Sequence, residues 1–176
     1  MKRADIIVVT KCPDTITPMD MRLFRKHLNP YPYQSLCFSK LAYGELVPLF
    51  PSAKHPMPNP VLTDAGVLAL TGIASPAPFV EYLKKCSAHV ETCFFGDHHN
   101  YSASDLKRIQ KAYDGIDVQE KYIITTEKDA VRLMANTSFP DELKKKIFYI
   151  PLSMEFLRED ASVFEENLLS LLHGRQ

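Results

Sequence analysis

The sequence predicts an α/β fold, a mostly parallel sheet flanked by helices in an α/β/α sandwich. Three observations carry this. Short β-branched or apolar runs recur along the chain, stretches of helical periodicity separate them, and turn and capping residues mark the junctions. The 45% hydrophobic content of 176 residues is enough for one substantial core or one core plus part of a second.

Taken in order, Ala4 to Thr10 reads as a strand buried on both faces, and Lys11-Cys12-Pro13-Asp14 turns the chain. Thr17-Pro18, followed by Met21, Phe24, Arg25 and Leu28, reads as an N-capped helix with proline in its first turn. Residues 33–50 alternate well enough for two short strands around Ala42-Tyr43-Gly44-Glu45. Pro48, Pro51, Pro56, Pro58 and Pro60 are five of the thirteen prolines, and such crowding prevents sheet pairing, so a boundary is expected there. Beyond it, Gly66 to Leu70 is a strand and Ser75-Pro76 opens a helix, with Ser75 read as its N-cap in preference to a phosphate ligand. His89 to Phe95 is the next strand. Ser102 and Asp105 then form a capping-box-like start for a helix carrying Leu106, Ile109 and Tyr113, which Gly115 can close. Tyr122 to Thr126 and Ile147 to Ile150 are further strands, with a short helix from Asp129 to Met134 between them. Val163, Leu168, Leu169 and Leu172 share a final helix. The expected division is a βα unit over 1–32, a β and proline-rich linker over 33–63, and an α/β domain over 64–176.

Composition excludes several partners. Lys plus Arg and Asp plus Glu both number 21, so no net basic charge favours nucleic acid. Cys12, Cys37, Cys86 and Cys93 form no CxxC pair and follow no secretory signal, which fits a reduced, cytoplasmic setting. No run approaches the roughly 18 apolar residues of a membrane span.

Three polar loops follow predicted strands: Thr71-Gly72-Ile73-Ala74, Gly96-Asp97-His98-His99 and Thr126-Glu127-Lys128-Asp129. In a parallel sheet they share the edge where open α/β folds place ligands. Asp97 either orients that loop or caps a turn. Lys128 either meets phosphate charge or belongs to an internal cluster with Glu127 and Asp129, which could also cap the helix; Arg132, one turn on, shares that ambiguity. Asp-His-His is also a signature of metal-dependent phosphoesterases, whose sites need further carboxylates at other strand ends; Asp5 and Asp14 lie in a different predicted unit and Asp64 sits before a strand, so no metal ligand is assigned. Thr10-Lys11-Cys12-Pro13-Asp14 loosely matches an [NT]-K-x-x-D pattern for base recognition, with Lys11 packing over a purine and Asp14 bonding its edge.

The blocks GIASPAPFVEYL, FFGDHHNYSASDL and IITTEKDAVRL, followed by FYIPL and an acidic helix, resemble the tetraacyldisaccharide 4′-kinases of lipid A synthesis in order and spacing. The resemblance runs from about Ala4 to the C-terminus and covers only the C-terminal half of that family. It implies transfer of the γ-phosphoryl group of ATP to the 4′-hydroxyl of a tetraacyldisaccharide 1-phosphate, with ATP and Mg²⁺ as cofactors of the full-length family. It makes residues 1–32 a remnant of a truncated P-loop domain. His98 is the position matching the family's second-domain catalytic histidine, with Asp97 beside it. No G-x-x-x-x-G-K-[ST] occurs in the sequence, so no cofactor is expected to bind this chain tightly and the chain alone is expected to be inactive. The implied partners are an acylated disaccharide lipid and the absent P-loop domain. Peripheral contact with the inner membrane would run through that absent region. The competing expectation is a non-catalytic module that orients kinase domains.

Overall fold

The computed structural model describes residues 3–51, 60–135 and 139–173, so Pro56 and Pro58 of the expected boundary lie outside the described residues. The chain forms two compact units, residues 44–152 and residues 1–43 with 153–176.

The first unit holds a five-stranded sheet of β3 (Val47–Pro48), β7 (Ile147–Ile150), β6 (Lys121–Thr126), β4 (Gly66–Thr71) and β5 (His89–Phe94), in that order across the sheet. β4 pairs in parallel with β5 and β6, β6 with β7, and only β3 runs antiparallel. Every residue of β4 is buried, as expected for the central strand of a sheet covered on both sides. The chain runs β4 to β5 through α2 (Ala77–Cys86), then back across β4 to β6 through α3 (Ala103–Asp114), and on to β7 through α4 (Glu127–Met134) and α5 (Asp141–Lys144). Right-handed crossovers in opposite directions place α2 on one face and α3 with α4 on the other. The packing agrees: Leu68, Leu70, Ile123 and Ile147 meet Leu106 and Ile109 of α3 and Ala130 and Leu133 of α4 in one cluster.

The other unit is a three-stranded sheet in the order β1 (Ile6–Val9), β2 (Ser35–Tyr43), β8 (Leu152–Phe156), with α1 (Pro18–Leu28) and α6 (Asp160–His173). α1 starts as its sequence predicts, with Thr17 and Asp20 in a capping box and Pro18 in the first turn. α6 packs on β2, and Asp160 accepts a hydrogen bond from the Phe38 N–H at 2.7 Å.

Several expectations are corrected. The division over 1–32, 33–63 and 64–176 does not match these units: β2 pairs in parallel with β1, Ile6 opposite Ser35, and β8 and α6 return to the same sheet. Local pattern cannot reveal such long-range returns. Residues 33–50 form one nine-residue strand and one two-residue strand, and β8 was not foreseen. β1 is half-buried, because it is an edge strand. Pro76, with no side-chain bond, occupies the cap position of α2 where Ser75 was expected.

Candidate functional site

Because β4 leads to one face and its neighbour β6 to the other, the loops after them diverge and leave a crevice between Thr71-Gly72 and Thr126, the switch point of the sheet. The loop after β5 flanks it, fixed by a 2.9 Å bond from the Phe95 N–H to the Thr71 carbonyl. The three loops foreseen at one edge are therefore neighbours.

The crevice is filled by Asp129, which is completely buried. One oxygen of its carboxylate, Oδ2, accepts from Thr71 Oγ1 at 2.9 Å, the Gly72 N–H at 3.0 Å and Thr126 Oγ1 at 2.8 Å. The other, Oδ1, faces Arg132 Nη1 at 3.5 Å. Thr126 in turn accepts from the Asp129 N–H and caps α4. The geometry of Asp129 is that of a helix-start carboxylate bonded to Thr126 and paired internally with Arg132. A Cβ at Gly72 would lie 3.0 Å from the Gly96 carbonyl and 3.3 Å from Asp129 Oδ1, so a larger residue there would have to push one of them back by a few tenths of an ångström. Burial pushes the Tyr101 hydroxyl upward, and the nearby Asp129 charge adds to that shift.

Asp97, His98 and His99 have three different surroundings. His99 Nε2 lies 2.9 Å from Asp105, its ring stacks on Phe95 at 4.8 Å between centroids, and Arg108 covers the other ring system at 4.7 Å from the Phe95 centroid. It is a structural residue. Asp105 is also the N3 carboxylate of the α3 capping box, and bonds from the Ser102 side chain and backbone, then His99, hold its carboxyl down at about 2. Asp97 accepts from its neighbour's N–H at 3.0 Å and from Lys128 Nζ at 3.3 Å. Desolvation raises its pKa, but Lys128 and His98 outweigh that and leave it below the usual carboxylate range. His98 is exposed, with Nδ1 3.0 Å from Arg132 Nη2 and Nε2 3.6 Å from Asp97 Oδ2. Its φ of 60° lies in the left-handed region, a conformation that costs a residue with a side chain about 1–2 kcal/mol.

The structure thus brings together Asp97, His98, Lys128, Asp129 and Arg132. Glu127, exposed at the start of α4, approaches the Leu152 N–H at 3.5 Å. Lys11 and Asp14 belong to the other unit, where Lys11 has a φ of 59° after β1 and Asp14 pairs with Lys40 at 3.2 Å. Among the described residues no group of three or more His, Cys, Asp or Glu could hold a metal ion, and Asp129 has spent its acceptors on protein donors. Thr71 and Thr126 were missed as site-forming residues. Thr126-Glu127-Lys128-Asp129 carries the capping-box spacing that could have identified Thr126.

What these features define is an α/β protein with a polar loop cluster at the switch point of its sheet. The family model for tetraacyldisaccharide-1-P 4′-kinase matches residues 1–173, and the chain belongs to that family. Among curated relatives, the tetraacyldisaccharide 4′-kinase of Bacteroides thetaiotaomicron is 40% identical over 95% of this chain and 46% of its own length. That of Phocaeicola vulgatus is 40% identical over 94% and 45%, and that of Parabacteroides distasonis 36% over 99% and 47%. The chain spans about half the length of these relatives. A crystal structure of LpxK from Aquifex aeolicus in complex with ATP aligns over 94% of this chain and 51% of its own, at 15% identity and a TM-score of 0.49.

Proposed function

We propose that this chain supplies the second half of a kinase that transfers the γ-phosphoryl group of ATP to the 4′-hydroxyl of a tetraacyldisaccharide 1-phosphate in lipid A synthesis. The reading rests on the family, whose curated relatives are named for this activity, and on one observation: His98 stands exposed, in a strained conformation, where three strand-end loops meet. Phosphoryl transfer asks a protein mainly for positioning and charge stabilisation, plus a group to receive the hydroxyl proton. His98 is proposed for that last role, paired with a carboxylate on the polypeptide that fills the other half of the relatives' length. Arg132, in contact with His98, and Lys128, in contact with Asp97, add positive charge beside the transferred group.

ATP and Mg²⁺ are assigned to that other half. The sequence has no P-loop whose backbone N–H groups and lysine could cradle the β- and γ-phosphates, and the chain alone is proposed to be inactive. Contact with the cytoplasmic side of the inner membrane is assigned to the same region; no helix among the described residues is long and apolar enough to cross a membrane.

The test uses labelled ATP, Mg²⁺ and the acylated disaccharide in detergent. A longer enzyme carrying both halves should lose roughly 10²–10⁴-fold in kcat on His98→Ala while nucleotide and lipid affinity stay near normal. Normal turnover would remove His98 from the reaction and leave the chain as a module that orients domains. Robust transfer by the 176-residue chain alone would overturn the assignment of the phosphate site.

A further inference from the structure

Asp129, Arg132 and His98 form a chain of contacts that joins the buried floor of the crevice to its exposed surface. Asp129 is fixed by Thr71, Gly72 and Thr126, so it has one available position. Arg132 follows it at i+3 on α4, with Nη1 toward the carboxylate and Nη2 3.0 Å from His98 Nδ1. A guanidinium only donates. Nδ1 must therefore accept, which leaves the neutral ring's proton on Nε2, the nitrogen facing Asp97 Oδ2. Asp97 is itself held by Lys128. The cluster consequently places the neutral His98 ring between two ion pairs, Lys128 with Asp97 and Arg132 with Asp129.

We propose that Asp129 and Arg132 are positioning residues that fix His98 in its Nε2–H tautomer. The second loop thus takes its ring orientation from the buried end of the third. Two observations beyond the bond itself support this. His98 is the third residue of a turn closed by a 3.2 Å bond from the His99 N–H to the Gly96 carbonyl, which holds its left-handed φ and fixes the point from which its ring reaches Arg132. Asp129 is a wholly buried carboxylate whose hydrogen bonds reach both strand-end loops of the crevice, more than a helix cap alone requires. A chemical consequence follows for the proposed kinase role, on which this part of the inference rests. With the proton on Nε2, the basic lone pair is at Nδ1, and Arg132 covers it. His98 accepts a proton only after the guanidinium leaves Nδ1.

The tautomer is read by nitrogen NMR on the 176-residue chain with ¹⁵N-labelled histidine, at a pH alkaline enough that the spectra no longer change with further base. His98→Gln assigns the resonance among the six histidines. Wild type should show Nδ1 as an unprotonated acceptor and Nε2 as protonated. Arg132→Met, with unchanged circular dichroism, should move the two shifts toward each other as the tautomers mix, and Arg132→Lys should recover part of the separation. Asp129→Asn should shift them in the same direction as Arg132→Met. A protonated Nδ1 in wild type, or shifts indifferent to Arg132→Met, would overturn the proposal. If His98→Ala turned over normally, the kinase role would fall while the tautomer result stood, so the two failures are distinguishable.

Discussion

The two units of this chain carry similar apolar patterns and use them differently. In the five-stranded unit, Val67, Leu68, Ala69, Leu70, Ile123 and Ile124 are wholly buried beneath α2, α3 and α4. In the three-stranded unit neither α1 nor α6 contains a single buried residue, and Leu23 and Leu172 are 57% and 65% exposed. An apolar stripe becomes a core only where a second layer closes over it. Amphipathic periodicity predicts the helix; it does not say that the helix has found its cover.

The largest effects that could break this contrast are core truncations. Phe79→Ala, at a side chain 2% exposed, should cost about 3–5 kcal/mol in chemical denaturation. Leu23→Ala on α1 should stay within about 0.5 kcal/mol. Comparable losses at both positions would mean that the α1 face is covered in solution. Next in size is Asp129→Ala. It leaves the Gly72 N–H and two threonine hydroxyls without their acceptor in a closed crevice and isolates Arg132. A loss of about 3 kcal/mol is expected, and a cost near that of an exposed carboxylate would show that water enters the crevice.

How much was legible follows the same division. β4, β5, β6, β7 and the helices between them were readable because a buried parallel strand and its crossover helix are local in pattern. Their arrangement put the three polar loops at one edge. What failed was non-local. Leu152-Ser153-Met154-Glu155-Phe156 alternates apolar and polar residues as a strand does, but five residues do not say that the chain returns to pair beside β2. At the site, Asp97, His98, Lys128 and Arg132 were visible by residue type. The fates of the two histidines were not, because they depend on Phe95 and Asp105 for one and Arg132 for the other.

A third prediction sharpens the comparison through a motif that occurs in both units. Thr17-x-x-Asp20, Ser102-x-x-Asp105 and Thr126-x-x-Asp129 share one spacing, yet the first is exposed, the second is supported by His99 and the third is sealed. Asp105 is held at about 2 against an ordinary 3.8, first by the Ser102 side chain and backbone, then by His99. A carboxyl with a depressed folded-state pKa adds stability above its unfolded pKa and loses it as pH falls through the folded value. Stability measured by denaturant titration should therefore fall between about pH 4 and pH 2, and Asp105→Asn should flatten that limb. An unchanged limb would assign the acid sensitivity to other carboxylates, Asp20 and Asp97 among them.

The smallest expected effect concerns Lys11 and His98, one in each unit, whose φ angles of 59° and 60° are nearly identical. A left-handed conformation costs a non-glycine residue about 1–2 kcal/mol, while glycine gives back part of the gain through its freer unfolded chain, about 0.5–1 kcal/mol. Lys11 forms no hydrogen bond or ion pair among the described residues, so Lys11→Gly should stabilise by about 0.5 kcal/mol. His98→Gly relieves the same strain but removes the bond from Arg132 and the contact with Asp97, and its net effect should lie near zero. Thermal denaturation of the two variants side by side reads the difference. If both stabilise equally, the His98 ring contributes nothing to the fold and its contacts with Arg132 and Asp97 are incidental. If Lys11→Gly instead destabilises by more than about 0.5 kcal/mol, its ammonium group is held by the protein, and the turn after β1 owes its conformation to that contact.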